Sequence, residues 1–245
     1  MTSLPKLRLS LHGIAAVLFP SDCFLCQTLL SRPLDGPICL RCLDRLPRII
    51  EPFCPRCGVP YSRFVAPGVC GPCRKSGRSF RRARAALIYE STVRLAVHGL
   101  KFGGRERIGS VLGTLAAEMW IGPGRLEGYS AVVPLPLSRK RRRERGFNQA
   151  EVVARAVGKS TGIPVRTRVL LKRRDCPPQA GLSASARMKN VASVYRAAVP
   201  ATLREREVLL VDDVLTTGAT VEAAARVLRR GGVAAVDVLT VARVM

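Results

Sequence analysis

Residues 208–220 read VLLVDDVLTTGAT: four apolar residues, two acids, and a Thr/Gly turn. The apolar run has the length and Val/Leu make-up of a strand buried on both faces. After the turn, Val221, Ala224, Ala225 and Leu228 recur with the period of a helix. A strand feeding a helix in this way is half of a βαβ unit, so the run predicts a parallel sheet whose ligand lies beyond the carboxyl end of this strand. Asp212 and Asp213 stand at that end. The N–H groups of Thr216, Thr217, Gly218, Ala219 and Thr220 curl at the positive end of the helix, a cradle for a phosphate. Three threonine hydroxyls add donors. One turn thus offers phosphate donors beside two carboxylates that can accept from sugar hydroxyls or hold a hydrated cation.

Outward from this run the same alternation continues. Ala85–Tyr89 reads as a strand, followed by helices carrying Val93, Ala96, Val97 and Leu100, then Ile108, Leu112, Leu115 and Met119. Ala131–Leu135 is a second strand, Ala150, Val153, Ala154 and Val157 mark a further helix, Val165–Leu170 a weaker strand, and Ala234–Val241 a final one. Strands alternating with helices make the fold class α/β, a parallel sheet flanked by helices. Lys172–Val191 shows neither period and is longer than a connection should be, which marks a binding loop. Its Arg173, Arg174, Gln179, Arg187, Lys189 and Asn190 are donors suited to phosphate or pyrophosphate. A lone Cys176 lies in it.

Upstream the text changes. Eight of the nine cysteines form four CxxC pairs, Cys23/Cys26, Cys39/Cys42, Cys54/Cys57 and Cys70/Cys73, separated by 12, 11 and 12 residues. The repeated unit C-x2-C-x12-C-x2-C predicts a small double zinc-ribbon module, because two tight turns aim four thiolates at one ion and S4 coordination suits Zn(II). Two Zn(II) ions are expected, in closed sites that are structural because no coordination position is left for substrate. Spacing alone leaves sequential and cross-braced pairing open. A disulfide framework would need a secretory signal, and residues 7–19, closed by Pro20, give no cleavage pattern. Those residues read as an N-terminal amphipathic helix. The organisation is a helix over 1–20, the double ribbon over 21–78, and the α/β domain over 79–245.

The 245 residues are 47% apolar and 24% charged, which excludes disorder as the main state. The net charge of +24 favours polyanionic partners. Basic runs sit at Arg74–Arg84 and at Arg139–Arg145, the latter interrupted only by Glu144. Aromatic residues are only 5%, so nucleic-acid contact would be led by the phosphate backbone. No apolar stretch reaches membrane-spanning length, and a cytoplasmic location is expected. His98 reads as a structural helix-end residue, and Trp120 as packing at the end of its helix.

The 208–220 run resembles the phosphoribosyl pyrophosphate (PRPP) signature of type I phosphoribosyltransferases. That resemblance implies that Asp212 and Asp213 bind the ribose hydroxyls and that Thr216–Thr220 bind the 5-phosphate. HGLKFGGR at 98–105 is similar to the family's pyrophosphate loop and points to Lys101 as a catalytic residue beside the two acids. RGFNQ at 145–149, after a PLP strand end, is similar to the ComF family of competence-associated proteins, which also places a cysteine zinc module before a phosphoribosyltransferase domain. The resemblance implies PRPP or ribose 5-phosphate as ligand with Mg(II), and Arg145, Gln179 and Arg187 among the PRPP-binding residues. It further implies a role in natural transformation, with single-stranded DNA as partner and contact with the DNA-uptake machinery. A working salvage transferase is the alternative, although no base-recognition element is readable and the acceptor stays unnamed.

Overall fold

The computed structural model describes residues 20–31, 36–61, 68–75, 77–120, 128–172 and 194–245. The expected N-terminal helix, apart from Pro20, lies outside these residues. So does the long polar stretch beyond Lys172, with Cys176, Gln179, Arg187 and Asn190.

Four strands form one sheet: β1 (Ala83–Ile88), β2 (Tyr129–Pro134), β5 (Glu207–Leu215) and β6 (Ala235–Arg243), in the order β1-β6-β5-β2 and parallel throughout. A separate antiparallel pair joins β3 (Leu170–Lys172) and β4 (Tyr195–Ala197). The sheet strands read as continuous apolar runs because both faces are covered. Leu209, Val211, Leu239 and Val241 point to one face, against α3 (Ser91–Phe102), α4 (Glu106–Trp120) and α6 (Gln149–Thr161). Val208, Leu210, Val236 and Val238 point to the other, against α7 (Ala219–Arg230). Helices α4 and α6 approach closely: a Cβ on Gly113 would lie 2.8 Å from the Val153 carbonyl oxygen.

The expected strand over Val165–Leu170 is cut down to a single parallel bridge between Val165 and Val132, with regular pairing resuming only in β3. Another element, α5 (Arg139–Arg145), has no apolar period at all. Its ends make it. Ser138 accepts from Arg141 N at the N-cap, and Gly146 adopts φ 78° at the C-cap.

The ribbons contain α1 (Leu40–Asp44) and α2 (Gly71–Lys75) and are set against the α/β domain. Cys23, Leu30, Ile38 and Leu46 of the first ribbon are buried in the same cluster as α3 and α4. Phe24 fills the notch over Gly99, where a Cβ would lie 2.4 Å from its ring. Arg48 bridges Leu87 and Ile49 N donates to Ala86 O, so the spacer between the ribbons completes the outer edge of β1. At the start of β1, Ala83 N donates to Arg56 O in the second ribbon.

Trp120 is buried at the end of α4, with the Arg82 guanidinium 5.6 Å above its ring. The basic run after the second ribbon is divided among partners. Arg81 and Arg82 grip the fully buried Asp237, and Arg84 sits over Phe53.

Candidate functional site

The two acids lie within the last part of β5, which continues to Leu215 rather than ending at Val211. Strand β2 stops at Pro134, opposite Val211, so the end of β5 is open on that side. Into this opening α3 delivers Lys101 from its last turn. Its Nζ lies 2.8 Å from Asp213 Oδ2. Burial, followed by the charge of Asp213, pushes Asp212 well above the ordinary carboxylate range, with Lys101 opposing. The pyrophosphate-loop expectation is thereby adjusted: residues 98–102 are helical, and only 103–105 are loop. His98 is exposed in that helix, its ring 4.7 Å from Phe102, and lies outside the cavity wall.

A cavity of about 380 Å³ opens here, with Lys101, Arg145, Asp212, Asp213, Ala219 and Thr220 among its walls. Gly218, at φ 80°, is the N-cap of α7 in a left-handed turn, and the first two helical residues, Ala219 and Thr220, line the cavity, where helix-start N–H groups suit a phosphate. Thr216 and Thr217 are exposed in the turn and do not line the wall. Gln179 and Arg187 lie outside the described residues.

Residues 145–149 work as a unit. Arg145 Nη1 donates to Gln149 Oε1 at 2.8 Å, its guanidinium stacks 5.1 Å from Phe102, and burial lowers its pKa. Asn148 caps α6 by accepting from Ala150 N, and its amide donates to Leu135 O, tying helix to strand end. Gln149 is almost fully buried, and its amide nitrogen has no hydrogen-bond partner among the described residues. A buried donor left unmatched beside a cavity fits a ligand with acceptor oxygens there. With the open cradle at Gly218 and the Lys101–Asp213 pair, the residues present fit a sugar phosphate bound with a cation. Arg141, read in the sequence only as part of a basic run, Lys172, read as the start of the long loop, and Tyr195, not singled out at all, also line the cavity. Only proximity in the fold brings them in.

Behind α5 a second trough of about 710 Å³ shares Pro136, Leu137, Asn148 and Lys172 with the first cavity. Arg139, Arg142, Arg168 and Arg196 line it. The basic run is therefore a partition, with Arg141 and Arg145 on one side and Arg139 and Arg142 on the other.

The cysteines gather as Cys23, Cys26, Cys39 and Cys42, and as Cys54, Cys57, Cys70 and Cys73, each set within 4.8 Å. Pairing is thus sequential rather than cross-braced. The Cys26–Cys39 and Cys57–Cys70 sulfurs are 3.8 and 3.6 Å apart, against about 3.8 Å for edges of a tetrahedron with Zn–S near 2.3 Å. The thiols divide unequally. Hydrogen bonding by Thr28 draws Cys26 down to about 6, while burial and neighbouring thiols push Cys42 up to about 12. In the second set, burial opposes ionisation of Cys54, yet the N–H groups of Cys57, Cys70 and Arg56 bring it down to about 6; burial raises Cys57 to about 12. Four sulfurs this close ionise together only around a cation, and two closed S4 sets fit two zinc ions.

Residues 14–75 match the double zinc ribbon domain family, and residues 130–245 match the phosphoribosyl transferase domain family. The DNA utilization protein YhgH of Escherichia coli (strain K12) is 31% identical over 229 residues, covering 92% of this chain and 98% of that protein. Competence protein F of Haemophilus influenzae is 28% identical over the same length and the same shares. The chain belongs to the ComF family. Its ComF relatives extend to competence protein ComFC of Bacillus subtilis, 26% identical over 240 residues, 90% of this chain and 94% of that protein. Among the described residues no helix is long and apolar enough to cross a membrane.

Proposed function

We infer that this chain is a DNA-uptake protein whose α/β domain, residues 79–245, binds PRPP or ribose 5-phosphate with Mg(II), and which handles single-stranded DNA in the cytoplasm. The observation that carries the first half is the convergence of Asp212, Asp213, Lys101 and the Gly218 cradle in one cavity. In this reading the two carboxylates accept from the ribose hydroxyls, and the turn at 216–220 donates to the 5-phosphate. Lys101 and Arg145 bind the diphosphate, which Mg(II) neutralises when bound. Arg145 is held for that role by Gln149 and Phe102.

The second half is supported by the printed names of the relatives, competence and DNA utilization, and by the net charge of +24. Calorimetric titration of PRPP with Mg(II) into the zinc-loaded chain tests the ligand. Saturable binding is expected, abolished in Asp212→Asn/Asp213→Asn and weakened at least tenfold in Lys101→Met. Equal heats in wild type and double variant would sink the assignment. Release of pyrophosphate in a screen of free bases would favour the salvage transferase instead.

A further inference from the structure

Six arginines line one open groove of about 480 Å³ that shares no lining residue with the phosphoribosyl cavity. Arg56 comes from the second ribbon, Arg78 and Arg81 from the segment that leads into β1, and Arg226, Arg229 and Arg230 from α7. Three stretches remote in sequence thus build one wall. Two of the six are neutralised: Arg81 by Glu207 and Asp237, and Arg226 by Glu222, which also accepts from Ser79. No carboxylate among the described residues pairs with Arg56, Arg78, Arg229 or Arg230.

Their remaining contacts hold the guanidinium groups in place without discharging them. Arg56 Nη2 donates to Arg78 O at 3.1 Å, which ties the ribbon to the incoming chain. Arg229 Nη1 donates to Val233 O at 3.1 Å. The Nε atoms of Arg56 and Arg78 are buried with no hydrogen-bond partner among the described residues. Unmatched buried donors and gathered like charges both cost stability, and both are relieved by an anion with many acceptor oxygens. Guanidinium forks suit phosphate oxygens in particular.

The shape narrows the ligand. The groove is open and its aromatic neighbour, Phe80, is only 2% exposed, so no surface is offered to a base. Arg226, Arg229 and Arg230 follow the i, i+3, i+4 rule along one side of α7, a helix about 18 Å long. With Arg226 held by Glu222, the exposed Arg229 and Arg230 at the end of this row are the cations left to meet phosphate oxygens. We propose that this groove holds the phosphodiester backbone of a single nucleic-acid strand, with the second ribbon as one of its walls. The proposal rests on the DNA-handling reading above and places the strand at the ribbon seam rather than along α5. Arg78 Nη1 lies 4.0 Å from where a Cβ on Gly218 would stand, so the strand ends against the back of the phosphate turn.

The test is fluorescence anisotropy of labelled oligo(dT) and a mixed-sequence oligonucleotide with the full zinc-loaded chain, at 50 and 200 mM salt. Arg78→Gln/Arg230→Gln is expected to weaken both oligonucleotides about tenfold and to flatten the log–log salt slope by about 1.4, about 0.7 for each of two lost phosphate contacts on a single strand. Arg139→Gln/Arg142→Gln/Arg196→Gln is expected to stay within threefold of wild type. Two zinc per chain and unchanged PRPP titration certify the fold of the seam variant, and Arg230→Glu alone, at an exposed position, gives the same ranking if the double variant does not fold. Loss of binding in the trough variant with the seam variant intact overturns the seam and leaves the DNA reading standing. Wild type that ignores both oligonucleotides at 50 mM salt overturns both. A seam variant that loses inorganic triphosphate but keeps the oligonucleotides makes the groove a small-anion site and overturns the strand.

Discussion

Shifted by 31 positions, the two ribbons repeat the same backbone bonds around their cysteines. Cys39 N donates to Cys23 Sγ at 3.3 Å and Cys70 N to Cys54 Sγ at 3.4 Å; Gln27 N and Gly58 N each donate to the carbonyl of the first cysteine, at 2.8 and 2.9 Å. Their surroundings differ completely. The first ribbon gives Cys23, Leu30, Ile38 and Leu46 to the core it shares with α3 and α4, whereas Cys54, Cys57 and Cys73 form a small cluster of their own. The second ribbon instead docks by polar contacts, Arg243 to Cys57 O and Ala83 N to Arg56 O. A ligand pattern therefore sets the local fold, and the neighbours set what losing the metal costs.

The strongest way to break this contrast is to remove one zinc at a time. Cys39→Ser/Cys42→Ser should lose one zinc and drop the thermal midpoint by about 15 °C or more, since each buried aliphatic side chain contributes about 1.5–3 kcal/mol and each kcal/mol moves the midpoint by about 2–4 °C. Cys70→Ser/Cys73→Ser should also lose one zinc, yet move the main transition by less than about 3 °C. Metal analysis with calorimetry decides, and equal midpoints would end the distinction.

Next in size is Asp237, which fastens the chain leaving the second ribbon to the sheet. Asp237→Asn leaves Arg82 without a carboxylate partner and Arg81 with Glu207 alone, and should cost about 3 kcal/mol in denaturant unfolding. Burial opposes its ionisation, but Arg81, Tyr129 and Arg82 outweigh it and hold its pKa below the ordinary carboxylate value. A depressed acid stabilises above its unfolded pKa, about 3.9, and the gain is lost as pH falls through the folded value. The gap between wild type and variant should be flat above about pH 5 and close below it; taking the difference removes the acid release of zinc common to both.

The smallest effect separates two equivalent turn residues. Gly58 has φ 70°, and a Cβ there would lie 2.5 Å from Ala83 O, so Gly58→Ala should cost about 1–3 kcal/mol. Gln27 holds the same left-handed turn at φ 61° but is exposed, and Gln27→Gly should change stability by less than about 0.5 kcal/mol. Comparable losses at both positions would mean that the turn, rather than the docking, demands glycine.

Much of this was readable beforehand where one local rule sufficed. The strand and helix around Asp212 and Asp213 follow from hydrophobic period, and the four-cysteine unit from spacing. Helix α5 was not readable, because Arg139–Arg145 carries no apolar face and depends on a cap at Ser138 and a stop at Gly146. The Val165–Leu170 run looked like a strand by composition, but only Val165 finds a partner in β2. Nor could spacing reveal that Phe24 seats on Gly99 or that Arg56 and Arg230 share a groove. Such contacts depend on three-dimensional complementarity between distant segments.

The spacer that pairs with Leu87 and Ala86 has a consequence for modularity. A fragment starting at residue 79 would keep every strand of the parallel sheet but bare the outer hydrogen-bonding row of β1 and the apolar roof over α3 and α4. Bare strand edges recruit other strands, so the fragment is expected to self-associate rather than stay single. The two halves are not beads on a string. The transferase-like half is unfinished by itself, and the first ribbon and its spacer are the missing piece.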